Sequence, residues 1–337
     1  AGWLSAGIIA ATYASAADGV GLRVTLIESP DIKTIGVGEG TWPSMRRTLK
    51  RIGLSETDFL RFCDASFKQG TEFHGWASDT GASYTHPFMP PTDFDALNPV
   101  EAYLAEYTKS RFDQTVCPQV ALFADNLAPK QITTPEYAGS TNYGYHLDAG
   151  KFAALLQKHC TEQLGVTQVV ANVTAVLCKP NGDIDRLKTD RTDDLNGDLF
   201  IDCSGTHGLL INGLYNIGFI DRADTLFNNR AIAAQTPYVD ETDPIASCTH
   251  STAQSAGWIW DIGLPTRRGT GYVFSTQHQS DDEAERTLRQ YIERTSTAAI
   301  AASVQTRAIA FEPGHREIFW HRNCVALGMA AGFIEPL

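Results

Sequence analysis

One lysine in this sequence has neighbours that would suit an amine with a chemical role. Lys68 is the only lysine or arginine in the segment CDASFKQGTEFHGW, and Phe67, Phe73 and Trp76 are close to it in the sequence. An ammonium group among aromatic side chains loses hydration, which lowers its pKa and makes the neutral, nucleophilic amine available near neutral pH. Lys68 is therefore the first candidate for a catalytic residue.

The secondary structure around Lys68 decides between a catalytic lysine and an ordinary surface lysine. On a helix, Lys68 and Glu72 would lie four residues apart on one face and form an ordinary surface ion pair. On a strand, Lys68 would instead share a face with Glu72, His74 and Trp76. This segment alone leaves both alternatives open.

A pair of tryptophans is the second group with a potential role. In GWIWDIGLP, Trp258 and Trp260 alternate along a segment typical of a strand, so both indoles would lie on one face, with Ile262 next in register. Aromatic walls exclude water and so protect a diffusible oxidant from side reactions. The alternative is that the two tryptophans belong to the hydrophobic core.

The first residues of the chain predict part of a dinucleotide-binding unit. They form an apolar, small-residue helix pattern, and the segment LRVTLIES then predicts a buried strand that ends at Glu28. This acid comes 26 residues after Gly2, near the spacing at which such units hold a ribose hydroxyl. Gly2 would then be the last glycine of G-x-G-x-x-G, although a helix and strand without that function fit equally well.

A glycine-rich loop, TIGVGEGTWPS, comes next and predicts the start of a helix near Pro43. Its alternating glycines, Gly36, Gly38 and Gly40, would let the backbone approach a ligand closely. A plain flexible loop is the alternative.

The remaining segments predict an α/β protein. Residues 77–142 are poorly periodic and predict loops and short helices. A helix, a strand, a hairpin with an Asn-Gly-Asp turn at 181–183 and a further strand follow, and residues 220–321 show alternating strand and helix signals. This order is typical of a nucleotide-binding sheet that carries an inserted β-meander.

Composition and charge exclude several classes of function. The 337 residues are 43% apolar and 20% charged, as in soluble globular proteins. A net charge of −12 argues against a nucleic-acid backbone or an anionic membrane as the main partner. No apolar run is long enough to span a membrane.

The cysteines and the two ends of the chain complete this picture. Seven cysteines, none in C-x-x-C spacing, predict a reduced, cytoplasmic protein, and the absence of clustered Cys and His ligands predicts no metal site. The chain does not start with Met and ends at AAGFIEPL without a polar tail, so we expect an internal segment of a longer protein.

Five motifs in this order carry a resemblance to a known family: IGVGEGTWPS, ASFKQGTEFHGW, DLFIDCSGTHGLLIN, GWIWDIGLP and RNCVALGMAAGFIEPL. Together they resemble the flavin-dependent halogenases, the tryptophan halogenase family, from residue 1 to residue 337. The resemblance implies an FAD-binding Rossmann-like fold of the glutathione-reductase or aromatic-hydroxylase type, with an inserted β-rich substrate region.

The resemblance also implies a reaction. In the family, a separate flavin reductase supplies FADH2, which reacts with O2 so that chloride or bromide becomes hypohalous acid. This oxidant is held at a lysine and then halogenates a small electron-rich aromatic substrate, typically one based on indole. Trp258 and Trp260 would separate flavin from substrate and prevent direct hydroxylation.

Residue by residue, the resemblance assigns Lys68 as the essential lysine and His86 and Phe88, in YTHPFMP, as a pair that lines the substrate pocket. The cofactor-binding residues that it implies are Ala1, Gly2, Glu28, Ser29, Ile35, Gly36, Val37, Gly38, Glu39, Gly40, Thr41, Val173 and Met329.

The same resemblance implies a division of the chain. Residues 1–60, 145–207 and 322–337 would form the FAD-binding module, whose first strand would precede the chain. Residues 61–144 and 208–321 would form the substrate and halogenation region.

Two departures from the family pattern limit the resemblance. The family's W-x-W-x-I-P reads W-I-W-D-I-G-L-P here, so that Pro265 comes two places late and the aromatic substrate is less defined. The family's catalytic glutamate directly follows EPL and would lie beyond Leu337, because Glu335 is a different residue of that motif. An FAD-dependent aromatic hydroxylase and an inactive flavin-binding fragment remain as alternatives.

Overall fold

A computed structural model of the protein describes residues 1–13, 21–32, 36–77, 82–96, 98–106 and 109–334. The helices of these described ranges are α1 (Gly2–Tyr13), α2 (Ser44–Arg51), α3 (Glu56–Phe62), α4 (Pro99–Glu106), α5 (Phe112–Val116), α6 (Gln119–Ala124), α7 (Ala149–Glu162), α8 (Asp281–Thr295) and α9 (Ala298–Ser303).

The strands of the first half of the chain are β1 (Thr25–Glu28), β2 (Glu39–Gly40), β3 (Ser66–Lys68), β4 (Gly70–His74), β5 (Ser83–Pro87), β6 (Gly144–Leu147), β7 (Thr167–Val170), β8 (Val173–Cys178), β9 (Ile184–Thr189), β10 (Leu195–Asn196) and β11 (Phe200–Asp202). Those of the second half are β12 (Phe219–Asp221), β13 (Arg230–Thr236), β14 (Thr249–Gln254), β15 (Gly257–Gly263), β16 (Arg268–Phe274), β17 (Thr306–Ala310), β18 (Gly314–Arg316), β19 (Trp320–His321), β20 (Cys324–Ala326) and β21 (Gly332–Phe333).

The chain forms two compact units that are each discontinuous in sequence. The first unit consists of residues 1–34, 156–229 and 310–337, and the second of residues 35–155 and 230–309. The division expected from the sequence, into a cofactor module and a substrate module, stays a prediction because compactness does not identify what either part binds.

The first unit contains short parallel strand pairs and an antiparallel meander. β1 is parallel to β7, with Glu28 beside Val170, and β11 is parallel to β20. β8, β9 and β10 form the antiparallel meander expected from the sequence, and its first turn contains Gly182 at a φ of +86°. Glycine adopts this left-handed conformation without steric cost, which explains the Asn-Gly-Asp signal.

The meander and the parallel strands of the first unit share one hydrophobic core. Its fully packed members include Ile184, Ile211 and Cys324, which lie on a meander strand, on a segment after β11 and on β20. Burial of such side chains stabilises the fold by about 1.5–3 kcal/mol for each large aliphatic residue.

The second unit contains a seven-stranded sheet in the order β17-β13-β16-β15-β14-β4-β5. The strands β13 to β16 follow one another before α8 begins, so the alternation of strand and helix expected for residues 220–321 is wrong. Pattern alone misplaced these elements because a continuously buried strand and a short helix give similar apolar runs.

The helix α8 covers one side of this sheet and was expected from the sequence. Ser280 and Glu283 form a capping box at its start, which fixes where the helix begins. Leu288 and Ile292 are fully buried and pack with Ile259 of β15 in the core of the second unit. The large sheet therefore has a rigid support behind β15.

A second, smaller sheet of this unit carries the candidate lysine. Its strand order is β2-β6-β3, and Lys68 of β3 lies opposite Gly144 of β6. His146 of the same central strand lies between Gly40 of β2 and Ser66 of β3. This register brings the end of the glycine-rich loop and the lysine segment to one sheet, although they are far apart in sequence.

Residues 77–142 contain β5 and the short helices α4, α5 and α6 within their described part, as expected. Among the described residues, no helix combines the length and the apolar character needed to cross a membrane.

Candidate active site

Lys68 lies on a strand, so the helix interpretation is wrong. The face that Lys68 was expected to share with Glu72 and His74 does not form, because these residues belong to another strand. Lys68 ends β3, whereas Glu72 lies in the middle of the next strand, β4, in a different sheet. The carboxylate of Glu72 is next to His74 and His250, at 3.7 and 3.6 Å, rather than next to Lys68. The local pattern could not distinguish these cases because the chain changes sheets between the two residues.

The amine of Lys68 lies directly over Gly40. The side chain of Lys68 is only 7% exposed. A Cβ atom added to Gly40 would lie 3.0 Å from Lys68 Nζ and 3.6 Å from Cδ2 of His146. The missing side chain at Gly40 is therefore what leaves room for the amine in this sheet.

The aromatic ring beside the amine is that of Phe88. Lys68 Nζ is 5.8 Å from the centre of this ring, and the Phe88 N–H donates to the Gln69 carbonyl at 2.9 Å. The neighbours expected from the sequence have other contacts, since Phe67 packs edge-on against a tyrosine and Phe73 is stacked on another. A long-range contact thus supplies the aromatic environment that sequence proximity was expected to supply.

Burial lowers the pKa of Lys68 from its usual 10.5 to about 8. The nearby Cys248 thiol does not offset this shift at neutral pH, because its own burial raises the pKa of Cys248 to about 12 and keeps it uncharged. No hydrogen bond or ion pair holds the Lys68 amine among the residues that the structure describes. At pH 7.5 about a quarter of the amine is then neutral, against roughly one part in a thousand for an ordinary lysine.

His146 is a second titratable group beside this amine, and sequence reasoning missed it. It is fully buried, and its Nε2 is 2.8 Å from Thr249 Oγ1. Burial, followed by the nearby Lys68 charge, lowers the pKa of His146 well below its usual value, so the imidazole is neutral. Its Nδ1 is buried without a hydrogen-bond partner in the described part of the chain.

Trp258 and Trp260 lie on β15 with their rings in contact, as expected for one face of a strand. Both are buried, and the ring centres are 6.4 Å apart in an edge-to-face arrangement. Trp76 extends the cluster, since its ring centre is 6.2 Å from that of Trp258. The Trp260 ring covers Gly271 of the neighbouring strand, where a side chain would clash with it.

His86 and Phe88, the pair expected to line the substrate pocket, have different surroundings. His86 is exposed on β5, opposite Thr71 of β4. Phe88 is half-buried, lies beside the Lys68 amine and also contacts Trp42, with ring centres 5.5 Å apart. The structure therefore brings Phe88, but not the His86 ring, into contact with the lysine.

The glycine-rich loop packs closely against β16. Gly38 is buried at a φ of +93°, and a Cβ there would lie 3.1 Å from Gly269 Cα. The Val37 carbonyl would lie 2.6 Å from a Cβ on Gly269, so both glycines are needed for this contact. Gly36 accepts a hydrogen bond from Arg307 at 3.1 Å. Ile35, another expected cofactor residue, lies outside the described residues.

The polar residues of the same loop stabilise its conformation. Glu39 accepts hydrogen bonds from the N–H groups of Val37 and of Ala149, at 3.0 and 3.1 Å. Burial is the largest influence on this carboxyl and raises the pKa of Glu39. Thr41 accepts the N–H of Tyr145 at 2.9 Å. Glu39 and Thr41 thus stabilise the conformation of this loop.

In the first unit, Gly2 begins α1 and Glu28 ends β1. A Cβ on Gly2 would contact Leu26 of β1 and Cys203 after β11, at 3.5 and 3.8 Å, so the start of α1 packs closely on the strands. Glu28 accepts hydrogen bonds from Trp3 Nε1 at 3.1 Å and from Gln168 Nε2 at 2.6 Å. These two donors orient the carboxylate at the end of its strand.

Ser29, the next expected cofactor residue, donates to Asn172 Oδ1 at 2.6 Å. Met329 is 40% exposed on the turn that follows β20, and Val173 packs against the core of the first unit. Gly328 brings this turn close to the start of the chain, because a Cβ there would lie 2.9 Å from the Cβ of Ala1.

A cluster of metal-ligand side chains lies near Lys68 and was not expected from the sequence. Glu72, Cys248 and His250 have their ligand atoms within 4.8 Å of one another, and His74 Nε2 is 3.2 Å from His250 Nδ1. The sequence could not indicate this cluster, because β4 and β14 are neighbours in the sheet but about 180 positions apart in sequence. The proximity of these side chains alone neither confirms nor contradicts the expectation of no metal site.

A model of the tryptophan halogenase family matches this chain over residues 1–337. A curated relative, tryptophan 6-halogenase SttH of Streptomyces toxytricini, is 34% identical over an alignment that covers 100% of this chain and 66% of the relative. The chain thus spans about two thirds of the length of this relative.

Solved structures of the same family are similar to the whole chain. The tryptophan halogenase of Shewanella frigidimarina NCIMB 400 has a TM-score of 0.93 and 48% identity, covering 100% of this chain and 65% of that one. Tar14, a tryptophan C-6 flavin-dependent halogenase from taromycin biosynthesis, has a TM-score of 0.90 and 33% identity, covering 99% and 66%. These similarities confirm the expected α/β fold class with an FAD-binding Rossmann-like part.

Proposed function

The chain belongs to the tryptophan halogenase family, and from this premise we propose that the protein halogenates an electron-rich aromatic compound of the indole or tryptophan type. The co-substrates of this proposal are FADH2, O2 and chloride or bromide, and a separate flavin reductase supplies the reduced flavin. The relatives named above act on tryptophan according to their names. Their reaction supports a similar substrate class for this protein, and the cytoplasm supplies the reductant.

The observation that carries this proposal is the buried, unpaired amine of Lys68. A lysine kept from water without a carboxylate partner is costly to the fold. Such a cost is typical of functional sites, where groups are held with perturbed pKa values for chemistry. Burial at 7% exposure, with Nζ over Gly40 and the Phe88 ring at 5.8 Å, is the environment that favours a neutral amine.

The chemistry at Lys68 follows from this neutral amine. When bound, reduced FAD with O2 supplies the two-electron oxidation that converts a halide ion to hypohalous acid. Lys68 Nζ then either donates a hydrogen bond to this acid or attacks its halogen atom, which gives a haloamine and releases water. The aromatic ring takes the halogen as a cation equivalent and loses a proton, and the lysine amine is regenerated.

Aromatic residues of the second unit support the same reaction. Phe88 is an apolar neighbour of the amine, and Trp258 and Trp260 form a buried aromatic cluster on β15. Water exclusion would protect the oxidant from reduction and from reaction with other groups. In this proposal the two tryptophans also keep the substrate away from the flavin, and His86 contributes to the rim of the substrate pocket.

The residues of the first unit fit the nucleotide part of FAD. Gly2 permits the close helix–strand packing that the last glycine of a dinucleotide fingerprint provides. Ala1 and Gly2 at the start of α1 would bind the pyrophosphate, and Glu28 with Ser29 would bind the ribose. Val173 would lie near the adenine.

The glycine-rich loop of the second unit would bind the flavin ring. Met329, which the family resemblance places near the same ring, stays a prediction. Gly40 has an exposed backbone, Gly38 packs the loop against β16, and Glu39 holds the loop through two hydrogen bonds. Backbone without side chains can approach a planar ring closely. The role proposed for the loop residues 35–41 is therefore to bind the flavin and, through Gly40, to leave space for the lysine.

The identity of the product tests this function. The complete natural protein is supplied with FAD, a flavin reductase, NADH, O2 and bromide, and is offered tryptophan, indole and simple phenols. We expect a product with the mass-spectrometric doublet of bromine. A product that is heavier by one oxygen would show an aromatic hydroxylase instead, and flavin turnover without any organic product across these substrates would contradict the proposed substrate class.

A further inference from the structure

Three side chains on neighbouring strands of the large sheet form a triangle of potential metal ligands. His74 Nε2 is 3.2 Å from His250 Nδ1, and Glu72 Oε2 is 3.7 Å from the first and 3.6 Å from the second. These three edges fix the size of the space between the atoms. The nearest point equidistant from all three lies in their plane, about 2.0 Å from each. An ion displaced from this plane into tetrahedral geometry would lie about 2.2 Å from each atom, close to the length of zinc–nitrogen and zinc–oxygen bonds.

We infer that Glu72, His74 and His250 bind a divalent transition-metal ion, of which Zn²⁺ is the best match. Two imidazoles and one carboxylate form a ligand set that zinc uses when a fourth position stays open. Neutral imidazole ligands favour zinc and similar first-row metals over Mg²⁺ and Ca²⁺, which prefer oxygen ligands.

The fold places these ligands by strand register. β4 and β14 are parallel neighbours, and Glu72 lies directly beside His250. His74 is two residues after Glu72 on β4 and so projects from the same side of the strand. Both strands have a paired strand on each side in the seven-stranded sheet, so the backbone holds the three side chains without a flexible loop.

A fourth ligand is available on the chain. Cys248 precedes β14, is 1% exposed and has its sulfur within 4.8 Å of the ligand atoms of Glu72 and His250. This sulfur is the candidate for the fourth ligand, and a water molecule would take the fourth position otherwise. The three primary ligands are about a quarter to a third exposed, so an ion can reach them.

The positive charge closest to the triangle is already compensated. The charge of Arg111 interacts electrostatically with Glu72 and His74 at longer range. Its Nε donates to Asp113 at 3.0 Å and its Nη1 donates to Ser83 at 3.0 Å. A guanidinium paired with a carboxylate repels an incoming cation less than a free one. Arg111 is therefore compatible with an ion at the triangle.

The alternative explanation is a hydrogen-bonded cluster without metal. In that case one imidazole donates its proton to the other at the observed 3.2 Å, and Glu72 stabilises the pair by charge. Both explanations predict that substitutions destabilise the sheet. A test must therefore measure bound metal rather than stability.

The experiment uses the complete natural protein, stripped of metal with a chelator and then titrated with Zn²⁺ and with Co²⁺. We expect one equivalent to bind per chain, and the Co²⁺ form to show the strong visible absorption of a tetrahedral site. His250→Ala and Glu72→Gln should each weaken Zn²⁺ binding by at least about tenfold. His278→Ala, at an exposed histidine outside the triangle, is the matched control and should bind as the parent does.

X-ray absorption at the zinc edge of the unmutated protein makes the result independent of folding defects in the variants. Two imidazoles in the first coordination shell would support the site, and an additional sulfur would identify Cys248 as the fourth ligand. Absence of stoichiometric binding in the unmutated protein would overturn the inference. Equal binding by the parent and by both ligand variants would overturn it as well.

Discussion

The buried amine of Lys68 should make the stability of the protein depend on pH in a window that is set by this one residue. The pKa of Lys68 falls from 10.5 to about 8 on folding. Between these values the unfolded chain binds a proton that the folded chain has lost, so the free energy of unfolding rises with pH. The cost of burying the charge is fully present below pH 8 and disappears as the pH approaches 10.5.

The size of this effect follows from the shift. A pKa lowered from 10.5 to about 8 corresponds to about 3 kcal/mol of unfolding free energy. Replacing Lys68 by Met keeps an unbranched apolar side chain and removes the charge. At pH 7 the Lys68→Met variant should therefore be more stable than the parent by up to about 3 kcal/mol.

The assay is urea unfolding of the parent and of Lys68→Met at several pH values from 7 to 10.5. The difference in unfolding free energy should shrink as the pH rises, because the parent loses its penalty. Titrating groups far from Lys68 are common to both proteins and cancel in the difference. The two groups that feel the Lys68 charge, His146 and Cys248, are held neutral by burial, because the pKa of His146 is lowered and that of Cys248 is raised to about 12. Lys158→Met, at an exposed lysine of α7, should show no such pH dependence. A difference between the parent and Lys68→Met that stays constant with pH would refute the buried, perturbed amine.

Three further substitutions test other parts of the account. Gly40→Ala would place a Cβ 3.0 Å from Lys68 Nζ, so halogenation, measured by product formation, should fall. FAD binding, measured by flavin fluorescence, should change little. An equal loss of halogenation and of FAD binding would contradict a specific role of Gly40 under the amine. Glu28→Ala should weaken FAD binding by about 1–3 kcal/mol in a fluorescence titration, since a buried hydrogen-bond partner is lost; unchanged affinity would remove the ribose assignment. Glu56→Gln should destabilise the fold by about 3 kcal/mol in thermal unfolding. The reason is that the buried Lys130 ammonium, which lies 2.7 Å from the Glu56 carboxylate, loses its counter-charge. A loss below about 1 kcal/mol would show that solvent screens this ion pair.

Much of the fold could be predicted from local signals in the sequence. The helix α8 begins where Ser280 and Glu283 form a capping box, and the hairpin of β8 and β9 turns at Gly182. Each of these features depends on residues within a few positions of one another. Local periodicity and turn chemistry therefore suffice to place them.

The surroundings of the candidate lysine could not be predicted in the same way. Lys68 could be identified from the aromatic residues near it in the sequence and from the family motif. Gly40, Phe88 and His146 come close to it only through strand pairing and loop packing. These contacts join residues up to 78 positions apart. Register between distant strands is set by tertiary packing, which a single sequence does not display.

The Glu72, His74 and His250 triangle shows the same limit for a site that no motif marked. The ligands come in two short groups, Glu72 with His74 and Cys248 with His250, and each group alone is too small to indicate a metal. Only the parallel register of β4 and β14 joins them. The expectation of no metal site was based on sequence spacing, which carries no information about side chains that meet across a sheet.

The most direct test of the central claim compares Lys68→Ala with the parent for both halves of the proposed reaction. Bromination of the aromatic substrate is followed by mass spectrometry, and reoxidation of FADH2 by O2 is followed by flavin absorbance. The account predicts that Lys68→Ala loses the brominated product and keeps flavin reoxidation, while the exposed-site control Lys158→Ala keeps both. Retained bromination in Lys68→Ala would contradict the role of this amine.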